Sequence, residues 1–337
     1  MRPKTFQTVR IMPVVVQKYG GTSVADPSRI KAVADRVVHT REKGNDLVVV
    51  VSAMGQTTNT LLDLAAEVST APHPRELDML LTAGERISMA LLSMALNDRG
   101  VPAVSYTGSQ AGILTDSAHG GARIERITGE RVRESLDGGK VVIVAGFQGV
   151  DPASKEITTL GRGGSDTTAV ALAATLDASA CEILTDVDGV FSADPRVVPQ
   201  ASLLAHVAYR QMLALADAGA GVLMPQSVEF ALDHSVPVHV RSSFTDDEGT
   251  WLRPDLPERP FVGIAHRVEP DRGVVTVVGS EAHVTAAAEL GAMQEEGIQS
   301  ALVTSDEQSA SFSVTPEQIE DAVRFLHVRL FGMETTS

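Results

Sequence analysis

The chain has 337 residues, of which 43% are hydrophobic and 21% charged, and its formal net charge is −15. This balance is typical of a globular protein with one large domain and a small one, or with two medium ones. The acidic excess argues against nucleic-acid and membrane-surface binding, and the single cysteine, Cys181, excludes an internal disulfide and fits a reducing cytosol.

Continuous Val- and Ile-rich runs, each followed by a polar or glycine-rich turn, recur along the first 245 residues. The predicted strands are 14–19, 46–52, 101–106, 140–145, 156–160, 180–185 and 237–241. The predicted helices are 27–42, 60–68, 75–97 and 167–176. This rhythm indicates an α/β fold with a largely parallel sheet covered on both faces. No apolar run approaches the roughly 20 residues of a membrane span.

Ligands of such sheets bind outside the carboxyl ends of the strands. Five polar turns fall at these ends, namely 18–23, 52–58, 146–149, 161–166 and 185–196. Because they converge on one edge of the sheet, they predict a site for a sizeable substrate pair.

The turn Gly161-Arg162-Gly163-Gly164-Ser165-Asp166 is the most informative of these. Its glycines allow a close approach of the backbone to an anion, and Arg162 offers a planar fork for a carboxylate or phosphate. The Asp166 carboxylate fits such a site only if a lysine or a metal balances its charge. Lys18, at the end of the first strand, could neutralise phosphate charge, or it could be an exposed lysine before a structural turn.

Several other site types are disfavoured. There is no GxxxxGK[ST] motif and no GxGxxG after the first strand, which argues against a P-loop NTPase and a Rossmann dehydrogenase. The histidines lack zinc-site spacing, and the acidic run 186–194 does not fit an EF-hand. That run could contact a nucleotide or be a plain surface loop. Glu85, on an apolar helix face, could bind a substrate amine or be solvated or paired.

The composition changes at 245–261, which is rich in acids and prolines and predicts a linker or domain edge. Beyond it, strands at 273–279, 300–304 and 309–314 and helices at 283–296 and 316–330 form a βαββα unit. Such a compact unit is typical of a regulatory or dimerising module.

Several segments, in order, resemble the aspartate kinases of the amino-acid kinase superfamily: KYGGTSVADPSRI, VVSAMGQTTN, LLTAGERISMALL, AGFQGVD, TTLGRGGSDTTAVALA, TDVDGVFSADPR and VPVHVRSSF. The resemblance implies a three-layer α/β sandwich with a mainly parallel central sheet at 1–258. It also implies a single α+β ACT-like domain at 259–337, a homodimer and a cytoplasmic location.

The implied reaction transfers a phosphoryl group from ATP, with Mg²⁺, to the side-chain carboxylate of L-aspartate, giving 4-phospho-L-aspartate. By resemblance, Lys18 would stabilise the transferring group, Arg162 would bind a substrate carboxylate and Asp166 would organise Lys18. Substrate contacts would come from Ser52, Thr58, Glu85, Arg162, Gly163, Gly164 and Ser165. Nucleotide contacts would come from Lys18, Tyr19, Gly20, Gly21, Thr185, Asp186, Phe191, Ser192, Ala193, Asp194, Pro195 and Arg196. No metal ligand is predicted from the protein itself.

The chain also departs from the family pattern. Gly221 replaces a lysine used at the nucleotide, Met224 replaces a histidine, and Phe191 stands where a tyrosine is usual. The tail has room for about one ACT module, and the turn 280–283 lacks the usual Pro and Gly, so we expect weak or absent feedback inhibition. The alternatives are a kinase for a different amino acid or carboxylate, and a non-catalytic regulatory member. An N-acetylglutamate or nucleoside-monophosphate kinase fits the motifs less well.

Overall fold

A computed structural model describes residues 12–332. The larger part comprises β1 (Val14–Tyr19), α1 (Pro27–Glu42), β2 (Asp46–Val51), α2 (Thr57–Val68), α3 (Pro74–Asn97), β3 (Ala103–Tyr106), β4 (Ile113–Thr115), β5 (Ile124–Ile127), α4 (Glu130–Asp137), β6 (Val141–Ala145), β7 (Gln148–Val150), β8 (Ile157–Thr159), α5 (Gly164–Leu176), β9 (Ala180–Thr185), α6 (Tyr209–Asp217), α7 (Pro225–His234), β10 (Val238–Ser242) and β11 (Thr250–Leu252). The C-terminal part comprises β12 (Gly263–Val268), β13 (Gly273–Val278), α8 (Ala282–Glu295), β14 (Ser300–Ser305), β15 (Ser309–Val314) and α9 (Ile319–Phe331).

A seven-stranded sheet with the order β11-β10-β9-β1-β2-β6-β3 forms the centre of the larger part. All neighbours pair in parallel except β11, which is antiparallel to β10. The carboxyl ends of β9, β1, β2 and β6 therefore meet at one edge, as the turns predicted.

Helices cover both faces of this sheet, which confirms the predicted three-layer α/β fold. On one face Leu47, Val49 and Val51 of β2 pack with α1 and α3 residues such as Leu92. On the other face Val48 and Val50 pack with residues of α4 to α7. Because both faces of β2 are buried, its sequence is continuously apolar rather than alternating.

Helix α1 begins as its sequence predicts. The Asp26 carboxylate accepts hydrogen bonds from the backbone N–H groups of Ser28 and Arg29, at 2.8 and 3.0 Å, and Pro27 occupies the first helical position. This capping fixes the start of the helix that packs on one face of the sheet and contacts the turn after β1.

Helix α3 could cross a membrane by length and composition alone, although the sequence contains no apolar run long enough to predict a span. Half of its apolar window is buried, and it packs against α1 and β3. These contacts are those of a core helix.

A second, four-stranded sheet with the order β5-β4-β7-β8 lies beside the main one. Of its strands, only the run at 156–160 is predicted from the sequence. The others are three or four residues long, which is too short for a period of two to be recognised. The segment 245–261 is not only a linker, because β11 within it forms the edge of the main sheet.

The C-terminal part is an antiparallel sheet with the order β12-β13-β15-β14, with α8 and α9 packed on it. This α+β arrangement is consistent with an ACT-like domain. Strand β12 precedes the predicted βαββα unit, so the observed order is ββαββα. The predicted limits at residues 1 and 337 lie outside the described residues.

The two parts share apolar cores. Val262, Ala265 and Val278 join the core on the α5–α7 face of the main sheet, whereas Ala193 and Val197 join the core of the C-terminal part. The C-terminal sheet therefore packs tightly on the larger part. The predicted packing role of Cys181 is confirmed, because it is fully buried in β9.

Candidate active site

Lys18 and Asp166 form the charged centre of the site. The Lys18 Nζ atom lies 2.6 Å from Asp166 Oδ1, and their side chains are only 12% and 10% exposed. Lys18 is the penultimate residue of β1, which is the central strand of the sheet, and Asp166 lies in the first turn of α5. The sequence predicted that the Asp166 carboxylate needed a cation, and the structure places Lys18 in that position.

The turn after β1 is locked to its neighbours by backbone contacts. Gly20 N donates to Leu184 O at 3.3 Å, and Gly55 N donates to Gly21 O at 3.0 Å. A Cβ on Gly21 would lie 2.9 Å from the carbonyl oxygen of Ala53, so only glycine fits there. The turns after β1, β2 and β9 are thus held together beside the Lys18 side chain.

The glycine turn before α5 differs in one respect from its prediction. Helix α5 begins at Gly164 rather than at Thr167, so Ser165 and Asp166 belong to its first turn. The preceding Gly163 is left-handed, with a φ of 72°, and no side chain caps the helix. Gly164 N donates to Gly161 O at 3.1 Å and Asp166 N donates to Gly163 O at 2.9 Å, so the preference of this end of α5 for an anion comes from the helix dipole rather than from a row of free N–H groups.

Arg162 projects from this turn. Its side chain is exposed, and it has no ion-pair or hydrogen-bond partner in the described part of the chain. A guanidinium in this state is free to bind a substrate carboxylate.

Glu85 lies on the buried face of α3 and is only 4% exposed. Its Oε1 atom accepts a hydrogen bond from Ala53 N at 3.1 Å, while Oε2 is buried and has no partner among residues 12–332. Burial raises the pKa of this carboxyl to about 7. A buried carboxylate oxygen without a donor is costly unless a ligand supplies one, and a substrate ammonium would do so.

Ser52 and Thr58 belong to the segment that contains Ala53, the hydrogen-bond partner of Glu85. Both are half-buried, Ser52 directly after β2 and Thr58 in the first turn of α2. Ser52 N donates to Tyr19 O at 3.1 Å, which places it beside the β1 turn. Both predicted substrate residues are therefore brought to the same edge as Glu85.

The model of the amino acid kinase family matches residues 13–242, which include Lys18, Ser52, Thr58, Glu85, Arg162 and Asp166. The chain belongs to the amino acid kinase family. It is 48% identical to the aspartokinase of Geobacillus stearothermophilus over 324 residues, which cover 94% of this chain and 79% of that protein. It is 57% identical to the Mycolicibacterium smegmatis aspartokinase over 273 residues, 80% of this chain. It spans only 64% of that relative's length.

Two solved aspartate kinase structures are similar to this chain in fold. The aspartate kinase of Synechocystis has a TM-score of 0.65 at 33% identity, covering 94% of this chain and 69% of that one. The E. coli aspartokinase III in complex with aspartate and ADP has a TM-score of 0.83, covering 94% of this chain and 100% of that one. At 23% identity, the latter likeness shows the fold alone.

In this amino acid kinase, the predicted nucleotide residues separate into two groups. Thr185 and Asp186 follow β9 at the site edge, where Thr185 Oγ1 donates to Asp186 Oδ1 at 3.1 Å. Tyr19, by contrast, has a fully buried ring, and its hydroxyl donates to Gln17 Oε1 at 3.2 Å. The Tyr19 side chain is therefore part of the core, and only its backbone borders the site.

The run 191–196 is divided between the surface and the C-terminal part. Ser192 is buried, and its Oγ lies 2.9 Å from His327 Nε2 of α9. Ala193 is also buried, in the core of the C-terminal part. Both side chains are enclosed by the C-terminal part, so only the backbone of these two residues could contact a nucleotide, and their predicted role stays a prediction.

The other members of this run remain accessible. Phe191 is half-buried, and Pro195 is exposed. Asp194 Oδ2 and Arg196 Nη2 are 2.6 Å apart, and the hydrogen bond from Arg196 lowers the pKa of Asp194. Because the Arg196 side chain is 89% exposed, this ion pair contributes little stability.

Two of the three positions that depart from the family pattern, Gly221 and Met224, differ in their surroundings. Gly221 is exposed, and a Cβ there would meet no atom within 4 Å. Met224 packs against the glycine turn, since a Cβ on Gly163 would lie 2.0 Å from Met224 Cγ. The Met224 side chain therefore supports the turn, whereas a side chain at position 221 would have open space around it.

The sequence reasoning overlooked Asp78, which precedes Glu85 by seven residues on the same buried face of α3. Asp78 is only 1% exposed and binds His119 and Thr159 of the second sheet region. The signal available was its spacing of two helical turns from Glu85.

Proposed function

We propose that this protein is an ATP-dependent kinase that phosphorylates the side-chain carboxylate of L-aspartate, giving 4-phospho-L-aspartate and ADP. The observation that carries the proposal is the Lys18–Asp166 pair at the same strand edge as the buried, unpartnered Oε2 of Glu85. The identity to aspartokinases, 48% over most of the chain, supports this substrate.

In the proposed step, an oxygen of the aspartate side chain attacks the γ-phosphorus of ATP, and the bond from that phosphorus to the β–γ bridging oxygen breaks. A carboxylate is already a nucleophile at neutral pH, so the site needs no general base. Its tasks are positioning the reactants and neutralising negative charge. Lys18 and the N-terminal end of α5 supply that neutralisation, and Asp166 holds the Lys18 ammonium in place.

Substrate binding divides between two groups of opposite charge. Glu85 Oε2 accepts from the α-ammonium of aspartate, and Arg162 binds a carboxylate with the backbone of Gly163 and Gly164 and the side chain of Ser165 beside it. Ser52 and Thr58 border the same space. Removing the ammonium partner would leave a buried carboxylate uncompensated, which is the physical basis for requiring an amino acid.

The nucleotide lies over the turns after β1 and β9. Gly20 and Gly21 allow phosphate oxygens close to the backbone, and Thr185, Asp186, Phe191, Asp194, Pro195 and Arg196 border the remaining space. No cluster of three metal-binding side chains exists among residues 12–332. Magnesium commonly binds substrate phosphates and keeps several waters, so this residue set fits Mg²⁺ that arrives with ATP.

Feedback inhibition should be weak or absent. The turn before α8, where an amino-acid effector would find free N–H groups, is already bonded within the chain. Ser280 N donates to Arg259 O at 3.0 Å, and Glu281 N donates to Pro260 O at 3.1 Å. We further propose a catalytic domain at 1–258, an ACT-like domain at 259–337, a homodimer and a cytoplasmic location.

The test is hydroxylamine trapping of the acyl phosphate. With Mg-ATP and L-aspartate we expect an iron-coloured hydroxamate, little changed by added lysine or threonine. A panel of other amino acids and carboxylates in the same assay would reveal a different substrate. Folded protein that forms no hydroxamate with any of them would refute the kinase proposal. In that case, Mg-ATP binding in calorimetry without turnover would favour a non-catalytic, regulatory member of the family. The absence of a cation at position 221 is consistent with that alternative.

A further inference from the structure

Asp78 is a buried carboxylate with three separate hydrogen-bond donors. Thr159 Oγ1 donates to Oδ1 at 2.6 Å, His119 Nδ1 lies 2.7 Å from Oδ2, and Gly120 N donates to both oxygens, at 3.1 and 3.2 Å. The Asp78 residue is 1% exposed, whereas the His119 side chain is 21% exposed. Since a carboxylate only accepts, the Nδ1 atom of His119 carries the proton in this contact.

These contacts join three segments that border the proposed aspartate site. Asp78 lies on α3, two turns before Glu85 and on the same face. Thr159 ends β8, two residues before Gly161, and its carbonyl accepts from Ala122 N at 2.8 Å. His119 and Gly120 belong to the connection between β4 and β5.

The connection also contacts the glycine turn directly. A Cβ on Gly161 would lie 3.4 Å from the Gly120 carbonyl oxygen and 3.7 Å from the Gly121 Cα. Gly161 has a left-handed φ of 75°, a conformation that glycine adopts as readily as a right-handed one. The Gly120 contact and the Thr159 anchor therefore limit where Arg162 can lie.

We propose that Asp78 is a positioning residue that fixes the Gly161–Gly163 turn, and with it Arg162, at a set distance from Glu85. This proposal rests on the proposed function and deepens it. Glu85 binds the ammonium and Arg162 a carboxylate, so their separation selects the length of the amino acid. Asp78 touches neither substrate and acts through His119, Gly120 and Thr159.

The first test is Asp78→Asn, assayed with L-aspartate and with L-glutamate. The amide can still accept from Thr159, but its NH₂ group faces donors that it cannot satisfy. A displacement of about 1 Å in a site can cost about 100-fold. We expect kcat/KM for L-aspartate to fall 10- to 100-fold, mainly through KM, and the preference for aspartate over glutamate to narrow. KM for ATP should stay within twofold.

The second test uses the more exposed partner, in case Asp78→Asn folds poorly. His119→Asn keeps a donor near the position of Nδ1, whereas His119→Ala removes it. We expect the alanine variant to reproduce the rise in the KM for L-aspartate and the asparagine variant to restore most of it. Asp151→Asn, at the far end of the β7–β8 hairpin, is the matched control and should leave both KM values unchanged.

The outcomes separate the two proposals. If the wild type neither binds L-aspartate in calorimetry nor forms its hydroxamate, the proposed function fails, and the positioning role fails with it. If the wild type is active but His119→Ala leaves the KM for L-aspartate and the aspartate-to-glutamate ratio within twofold, the positioning role alone is refuted. An equal loss of activity with both amino acids through kcat would also refute it, because that is what general destabilisation produces.

Discussion

Replacing Glu85 by glutamine separates the binding role of this carboxylate from its effect on folding. The pKa of Glu85 is about 7 in the folded protein, against an ordinary value of 4.5, because burial disfavours the charged form. The raised pKa means that this group favours folding at low pH and opposes it as the pH rises from 4.5 to 7. At ~1.4 kcal/mol per pKa unit, the difference corresponds to roughly 3 kcal/mol above pH 7.

Glu85→Gln removes that penalty without changing the shape of the side chain, and Oε1 can still accept from Ala53 N. We therefore expect the ligand-free variant to match the wild type near pH 4 and to exceed it by up to ~3 kcal/mol at pH 8. Denaturant unfolding at several pH values would measure this difference. Glu289→Gln is the control, because Glu289 is a buried glutamate paired with Arg329 at 2.8 Å and should lose stability instead.

The same substitution should abolish tight binding of aspartate. Loss of one partner of a buried charge pair costs about 2–5 kcal/mol, so KM for L-aspartate should rise at least ~30-fold. In the wild type, lowering the pH from 8 to 6 protonates Glu85 and should raise this KM ~10-fold, whereas Glu85→Gln should show no such dependence. A wild-type KM that is constant over this range, or a variant with unchanged KM and unchanged stability, would refute the reasoning.

Three further substitutions test the rest of the site. Lys18→Met removes the cation at the transferring phosphoryl group, so kcat in the hydroxamate assay should fall 100- to 1,000-fold; a loss below tenfold would contradict its role. Gly221→Lys adds a cation where a Cβ has free space, and it should lower the KM for ATP severalfold relative to a Gly221→Ala control. An unchanged KM would mean that another cation already neutralises the phosphates. His327→Ala removes the contact to Ser192 and should raise the KM for ATP three- to tenfold by initial-rate kinetics, while equal changes in both substrate KM values would argue against a local effect.

Much of the fold could be predicted because its signals are local. The run 46–52 is apolar throughout since both sheet faces are covered, and Asp26 with Pro27 marks the start of a helix through its own cap. Charge balance predicted only that Asp166 needs a lysine or a metal beside it, and the family resemblance pointed to Lys18, which is far from Asp166 in sequence.

The start of α5 at Gly164 could not be predicted, because Gly164, Ser165 and Asp166 are typical of turns and caps and are therefore predicted to belong to the turn before the helix. Tertiary packing decides where the helix begins. A Cβ on Gly146 would lie 2.7 Å from Ser165 Oγ, so the end of β6 and the first turn of α5 are in direct contact. This contact is formed by residues 19 positions apart and has no signature in the turn itself.

The run 191–196 is continuous in sequence, but its side chains lie in different surroundings in the structure. Ser192 and Ala193 are enclosed by the C-terminal part, whereas Asp194 is half-buried and Arg196 is exposed. Arg324 of α9 strengthens this attachment by donating from Nε to Val197 O at 3.0 Å. If Asp194 and Arg196 border the nucleotide as proposed, any displacement of α9 must move them as well. The C-terminal part is therefore a structural support of the run 191–196, whether or not it binds an effector.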